Sequence, residues 1–321
     1  MSALLLSKPL PWFGRPLCLA LALATGAAPA LAQSPAGPAA ADSAPSSPAL
    51  VGHLLRVLEK REQPLGGGWF GAGPASAAET ADAERQLRGL GARASAAAPR
   101  LAEMLLRTER NAYELAWSLW SVSPEPAPER FAALGITWAD ATGAARLELL
   151  AQLGRTRASQ AVALLREAAR AADLPQRLIA GIALGYQTDA AAGDEPARVL
   201  AAMLKDSEKP ARAVAANGLR LLGPRSAAGV PALIDYLRTR DNVYMAASAL
   251  AAAPTHELLP AQAELEAILA EPRLSDAQKQ PTVQLLLRIE QYKAAQPRPG
   301  VPPPGPPASL PARPTSAGQQ A

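Results

Sequence analysis

Cysteine and histidine are almost absent from this 321-residue chain, and their scarcity excludes several kinds of site. The one cysteine, Cys18, lies near the N-terminus, so the rest of the chain can form no disulfide, thiol nucleophile or thiolate metal site. The two histidines, His53 and His256, are far apart in the sequence, and neither is accompanied by a motif of metal ligands or catalytic partners. We therefore predict a non-catalytic protein with no metal site and no cofactor.

A strong excess of basic charge is also lacking. The chain has 32 Lys and Arg residues against 28 Asp and Glu residues, a net charge of +4. Nucleic-acid-binding surfaces need a larger and more concentrated positive charge. The loop GGGWFG, residues 66–71, spells a GxGxxG pattern, but a helical segment precedes it where a dinucleotide site requires a strand. Neither nucleic acid nor a small-molecule substrate is therefore expected as a partner.

The first 32 residues have the three parts of a secretory signal peptide. Lys8 and Arg15 precede an apolar stretch, residues 17–32, which ends in the small-residue site Ala30-Leu31-Ala32. The apolar stretch is too short for a convincing membrane span. We expect cleavage after Ala32, a periplasmic or secreted protein, and no transmembrane segment in the mature chain.

Proline, alanine and serine dominate the segments on either side of the central region. Residues 33–48 are predicted to be a disordered linker, and residues 294–321 a disordered Pro-rich tail. Such a tail acts either as a spacer or as a ligand for an aromatic groove.

The central region repeats with a period of about 33 residues. Leucines that we call the marker leucines recur at intervals of 31 to 35 residues: Leu87, Leu119, Leu153, Leu184, Leu219, Leu250 and Leu285. A small residue lies three positions before Leu119, and small residues lie three and four positions before Leu184, Leu219 and Leu250, a spacing that places them on one helical face. Each repeat therefore contains a second helix, which carries the marker leucine, preceded by a first helix, as in residues 158–171 and 226–239.

Proline and glycine punctuate these repeats. Pro99 and Pro231 are predicted to lie inside first helices and to bend them, and Pro281 is predicted to interrupt the last second helix. Glycines after a leucine are predicted to end second helices in a left-handed conformation: Gly91, Gly154, Gly185 and Gly223.

The stretch LKDSEKPARAVAANGLRLLG, residues 204–223, resembles a HEAT repeat of the short variety found in phycobilisome lyase-like proteins. Asp206 and Arg212 stand where that family has a turn aspartate and a second-helix arginine. The resemblance covers about residues 80–290. It implies an all-α fold, an α-solenoid of about six to seven HEAT-like hairpins stacked in single file over residues 49–293. It also implies a structural ladder of Asp–Arg pairs along the turns.

Aromatic residues are only 4% of the chain, yet Tyr113, Trp117 and Trp120 fall on one predicted second helix. They either fill space in an alanine-rich core or form an anchor on the concave surface, where solenoids bind their partners. For the second case we predict four partner-binding residues: Glu114, Trp117, Tyr186 and Asn217.

The favoured function is an exported, non-catalytic scaffold that binds a protein or peptide partner. The alternatives are an accessory protein or enzyme resembling the bilin lyases, and a cell-envelope component tethered by its Pro-rich tail. The oligomeric state stays open.

Overall fold

A computed structural model describes residues 48–62, 75–108, 111–127, 130–156, 158–187 and 189–296. The described residues form α-helices and short 3-10 segments, with no β-strand among them. The helices are α1 (Pro48–Glu62), α2 (Ala77–Leu90), α3 (Ala98–Arg107), α4 (Ala112–Val122), α5 (Phe131–Asp140), α6 (Gly143–Arg155), α7 (Ala161–Ala168), α8 (Leu174–Gly185), α9 (Glu195–Met203), α10 (Lys209–Leu222), α11 (Val230–Arg238), α12 (Val243–Ala252), α13 (Gln262–Ala270) and α14 (Asp276–Ala295).

The marker leucines lie on alternate helices, from α2 to α14, and each is at most 1% exposed. Their helices are the predicted second helices, and α8, α10, α12 and α14 pack one against the next. First helices pack beside them, as α9 does against α10 and α13 against α14. The predicted fold class, an all-α, solenoid-like series of helices, is confirmed.

The predicted single-file stacking is wrong at one place. Helix α4 packs directly against α8, and α6, the second helix between them in sequence, packs mainly against α3 and α8. The ends of α4, α6 and α8 meet at Gly154 of α6. A Cβ atom on Gly154 would lie 2.4 Å from the Cβ atom of Ala183 and 2.8 Å from the Trp120 ring. The missing side chain therefore lets three second helices converge.

Only two of the four predicted cap glycines have that role. Gly91 and Gly223 follow α2 and α10 with positive φ angles of 56° and 59°, a region that favours glycine. Gly154 and Gly185 instead lie within α6 and at the last position of α8. They are buried contact points, since a Cβ atom on Gly185 would lie 2.7 Å from the Cα atom of Gly218 in α10.

The prolines begin helices where bends were expected. Pro99 and Pro231 lie in the first two positions of α3 and α11, each directly after a 3-10 segment. A proline there costs nothing because the first backbone N–H groups of a helix have no partner within the helix. Pro281 lies inside α14, which continues to Ala295, so the predicted interruption is also wrong.

The helical region begins at Pro48 and ends at Ala295, slightly beyond the predicted limits of 49 and 293. The predicted signal peptide, nearly all of the linker, the glycine loop and residues 297–321 of the Pro-rich tail lie outside the described residues. Within the described ranges, no helix has both the length and the apolar character that a membrane crossing requires.

Arginines at the start of second helices join successive repeats. The guanidinium of Arg177 donates two hydrogen bonds to Asp206, at 2.8 and 3.2 Å, and Arg212 pairs in the same way with Asp241. Each arginine also donates to two backbone carbonyls in the turn before its own helix. The predicted Asp–Arg ladder is therefore present, but each carboxylate comes from the next repeat, 29 residues later, rather than from the same one.

A second set of hydrogen bonds joins the C-terminal ends of second helices. Carbonyl groups near these ends accept from a side chain of the following repeat. The donor and acceptor pairs are Arg155 to Trp120, Gln187 to Gly154, Arg225 to Gln187, and Arg288 to Ala251. Trp120, Gly154 and Ala251 lie in the last turn of a second helix, where carbonyls lack a helical partner, and Gln187 lies two residues beyond one, so the next repeat acts as their cap.

Candidate functional site

The direct contact between α4 and α8 assembles an aromatic cluster, which consists of Tyr113, Trp117, Trp120 and Tyr186. Tyr113 and Trp117 are one helical turn apart on α4, with ring centroids separated by 6.4 Å. Tyr186 directly follows α8, and its ring meets that of Trp117 edge-on at 6.2 Å. Residues about 70 positions apart are thus brought together because α4 reaches α8.

Trp120 is the buried support of this cluster. It is 4% exposed and stacks on Tyr186 with ring centroids 5.5 Å apart and planes inclined by 24°. The guanidinium carbon of Arg155 lies 5.6 Å from the Trp120 ring on the α6 side. Tyr113, Trp117 and Tyr186 are only partly buried, so they form the accessible part of the cluster.

Glu114 lies beside the aromatic rings, and a second carboxylate, Glu84, lies near Glu114. Glu114 is half-buried on α4 and has no hydrogen bond or ion pair within the described residues. Glu84, on the neighbouring helix α2, is 3% exposed, and its Oε1 atom has no hydrogen-bond partner in the described chain. Burial raises the pKa of Glu84, and the charge of Glu114 raises it further, while the charges of Arg88 and Arg61 act in the opposite direction.

The cluster also holds a buried donor. The Trp117 Nε1 atom is buried, and no acceptor among the described residues meets the distance and angle of a hydrogen bond to it. The Tyr113 hydroxyl is its close neighbour: burial raises the pKa of Tyr113, and the Trp117 N–H opposes that shift. The positive charges of Arg220 and Arg88 also influence this hydroxyl. Aromatic faces, carboxylates and a donor therefore occur at one place on the second helices.

The structure brings three of the four predicted partner-binding residues together and buries the fourth, Asn217, on another helix. Trp117 and Tyr186 are in ring contact, and Glu114 precedes Trp117 on the same helix. Asn217 on α10 is only 8% exposed, and its Oδ1 atom accepts from Arg220 Nε at 2.9 Å. Asn217 was predicted to lie on an open surface, but it is buried, and its hydrogen-bond partner Arg220 is the more exposed of the two.

Sequence reasoning missed Glu84. It lies three positions before the marker leucine Leu87, where four of the other repeats have Ala116, Gly181, Ala216 and Ala247. A carboxylate at a position where most repeats have a small residue packed against a neighbouring helix was the signal that could have identified Glu84.

An open groove of about 820 Å³ lies elsewhere, along the turns between α5 and α8. Several of its polar groups are already engaged. Arg146 covers the Trp138 ring at 4.1 Å and donates to the Trp138 carbonyl and to Gln176, which in turn donates to Asp173. We regard this groove as part of the arginine ladder, because its side chains complete the turns that they line.

Metal-binding chemistry finds no support in the residues described. No group of three or more His, Cys, Asp or Glu side chains converges among them. His53 and His256 are exposed, and His256 lies 3.3 Å from Glu257 beside it in sequence.

Comparisons with known proteins assign no family to the chain. No protein-family model matches it, and no curated protein is significantly similar. Among solved structures, it is similar to an engineered protein whose crystal structure was a Northeast Structural Genomics Consortium target. The identity is 17% and the TM-score 0.40, over 74% of this chain and 97% of the engineered one.

Proposed function

We propose that the chain is a non-catalytic scaffold that binds a protein or peptide partner where α4 meets α8. One observation carries the proposal: Tyr113, Trp117 and Tyr186 form a partly exposed aromatic surface in a chain with few aromatic residues. Tryptophan and tyrosine are the residues that most often dominate the energy of protein interfaces. Solenoid proteins commonly bind their partners on the surface formed by successive second helices.

The wider proposal is an exported protein of the HEAT-repeat type. Marker leucines on alternate helices and arginines that join successive repeats support the HEAT resemblance. Export is supported by the sequence of residues 1–32, and places the mature chain in the periplasm or outside the cell, beginning at Gln33.

Site-specific cross-linking in the exporting cell tests the binding surface. In one variant a photoreactive amino acid replaces Glu114, beside Trp117. In a separate variant it replaces Tyr244, which is 53% exposed on α12. Tyr244 serves as the control because it is exposed on another second helix and lies six residues before its marker leucine, one position away from the equivalent of Glu114. We expect one defined protein adduct from position 114 and none from position 244.

The variant Trp117→Leu, which keeps an apolar side chain at the site, is expected to abolish that adduct while leaving helicity and melting temperature close to those of the parent chain. Adducts that are the same at both positions, or that persist in a folded Trp117→Leu chain, would contradict the proposed surface.

A further inference from the structure

We propose that the aromatic cluster also binds a segment of this same chain, the part of the Pro-rich tail formed by residues 297–321. The inference shares its surface with the proposed function, but it requires no external partner. Three independent features support it: the chemistry of the tail, the charge of the surface, and the point at which the tail leaves the helices.

The tail has the chemistry of a ligand for aromatic grooves. Residues 297–321 contain nine prolines, including the run from Pro302 to Pro304, and the spaced pairs around Arg298 and Arg313. Proline fixes φ near the polyproline II value, so such a segment loses little conformational freedom when it docks between aromatic rings.

The charges of the tail and the surface are complementary. Arg298 and Arg313 are the only charged side chains of residues 297–321. Glu114 has no ion pair or hydrogen bond in the described chain and is only half-buried, so a tail arginine can reach its carboxylate. Arginine also stacks on the faces of tryptophan and tyrosine. Arg88 and Arg220 lie near the same rings, so the tail arginines must compete with these resident charges for Glu114.

The tail also starts within reach of the cluster. It follows α14, which is in contact with α12, and α12 leads through α10 and α8 to α4 in direct contacts. Four such contacts at about 8–10 Å each amount to about 40 Å. A polyproline II segment of 25 residues spans about 78 Å, at about 3.1 Å per residue. A tethered ligand of this length has an effective concentration in the millimolar range, which makes even a weak contact populated.

Fluorescence quenching in the full chain tests the contact. Cys18→Ser with Ser309→Cys leaves one cysteine, in the tail, for a bimane label that is quenched when it touches tryptophan. We expect quenching that does not depend on protein concentration and that an excess of unlabelled peptide of residues 297–321 relieves. Trp117→Phe is expected to remove most of the quenching.

Charge exchange makes the test specific. Glu114→Arg is expected to abolish the quenching, and the further changes Arg298→Glu and Arg313→Glu are expected to restore it. Glu148→Arg is the matched control and is expected to leave the quenching unchanged, because Glu148 lies five residues before its marker leucine, as Glu114 does, but has no tryptophan beside it.

Label emission that is equal in the parent, Trp117→Phe and Glu114→Arg chains would overturn the inference. Quenching that appears only as the protein concentration rises would overturn it as well, because the tail of a second copy would then be the occupant. Either result leaves the cross-linking test of an external partner unaffected.

Discussion

Individual residues decide how closely the second helices approach one another. At Gly185 the backbone of α8 meets Gly218 of α10 so closely that no methyl group fits between them. Gly181, one turn earlier, is enclosed by Val214 and Met203. Because these glycines have no side chain, the backbones of neighbouring repeats can come into direct contact.

Gly185→Ala is expected to lower the free energy of unfolding by about 1–3 kcal/mol, because its Cβ atom would lie 2.7 Å from the Gly218 Cα atom and backbone cannot easily move aside. Gly89→Ala in α2 is the matched control, since a Cβ atom there meets nothing within 4 Å. That change is expected to leave stability unchanged or to raise it by up to about 1 kcal/mol. Denaturant unfolding measures both, and equal effects would contradict the close approach.

The buried carboxylate of Glu84 makes stability depend on pH. Burial and then the charge of Glu114 raise its pKa in the folded chain, so the folded state holds this proton more tightly than the unfolded state does. The contribution of Glu84 to stability is therefore complete below the ordinary glutamate pKa and is lost as the pH rises through the folded-state pKa.

Glu84→Gln, which is neutral at every pH, is expected to be more stable than the parent chain at neutral pH by about 1–3 kcal/mol, the usual penalty of a buried polar group without a partner. The difference should shrink as the pH falls toward the ordinary glutamate pKa of about 4.3. Unfolding curves measured across this range provide the test, and a difference that is constant with pH would rule out the raised pKa.

At the scale of elements, the arginine ladder is the device that fixes one hairpin on the next. Arg212 and Asp241 are mostly buried, and the same arginine also binds two carbonyls of its own turn. Burial opposes ionisation of Asp241, but the hydrogen bond and charge of Arg212 outweigh it, with help from Lys209, and the pKa of Asp241 is lowered. Arg212 and Asp241 therefore form an ion pair at neutral pH.

A double-mutant cycle with Arg212→Gln and Asp241→Asn is expected to give a coupling free energy of about 1–3 kcal/mol. The same cycle on Arg85 and Asp82, an exposed pair three residues apart on α2, is expected to give less than about 0.5 kcal/mol. Both cycles can be measured by denaturant unfolding at neutral pH. Coupling in the Arg212 pair no larger than in the exposed pair would mean that the ladder does not hold the hairpins together.

The sequence predicted the helices better than it predicted their neighbours. Periodicity identified all seven second helices, because the marker leucine must be buried in every repeat for the repeats to stack. It could not reveal that α4 bypasses α6 to reach α8, since a periodic pattern specifies a face and not the helix that covers it. The prediction that Gly154 and Gly185 cap their helices was wrong for the same reason, since the pattern does not show which helix packs against each glycine.

The candidate site was predicted in part. Trp117 and Tyr186 stood out because aromatic residues are rare here, and their contact follows from the irregular packing of α4 on α8. Asn217 was assigned by register alone, and the structure buries it against Arg220. Register fixes the height of a residue along the solenoid, but its exposure depends on which neighbour is present.

For the whole molecule, stability is expected to be a sum of contributions from neighbouring hairpins rather than from one central core. Apart from the contacts of α4 with α8 and α10, the contacts between second helices join one repeat to the next, as do the arginine ladder and the caps on C-terminal carbonyls. Such a chain opens locally, with different free energies along its length.

Hydrogen exchange followed by mass spectrometry on the Arg288→Ala chain tests this account most directly. Arg288 lies on α14 and donates to the carbonyls of Ala251 and Ala253 at the end of α12, so its loss weakens the interface between α12 and α14. We predict faster exchange in α12, α13 and α14, and unchanged exchange in α1 to α6. An equal increase in all helices would show that the chain unfolds as a single unit, and would contradict the account.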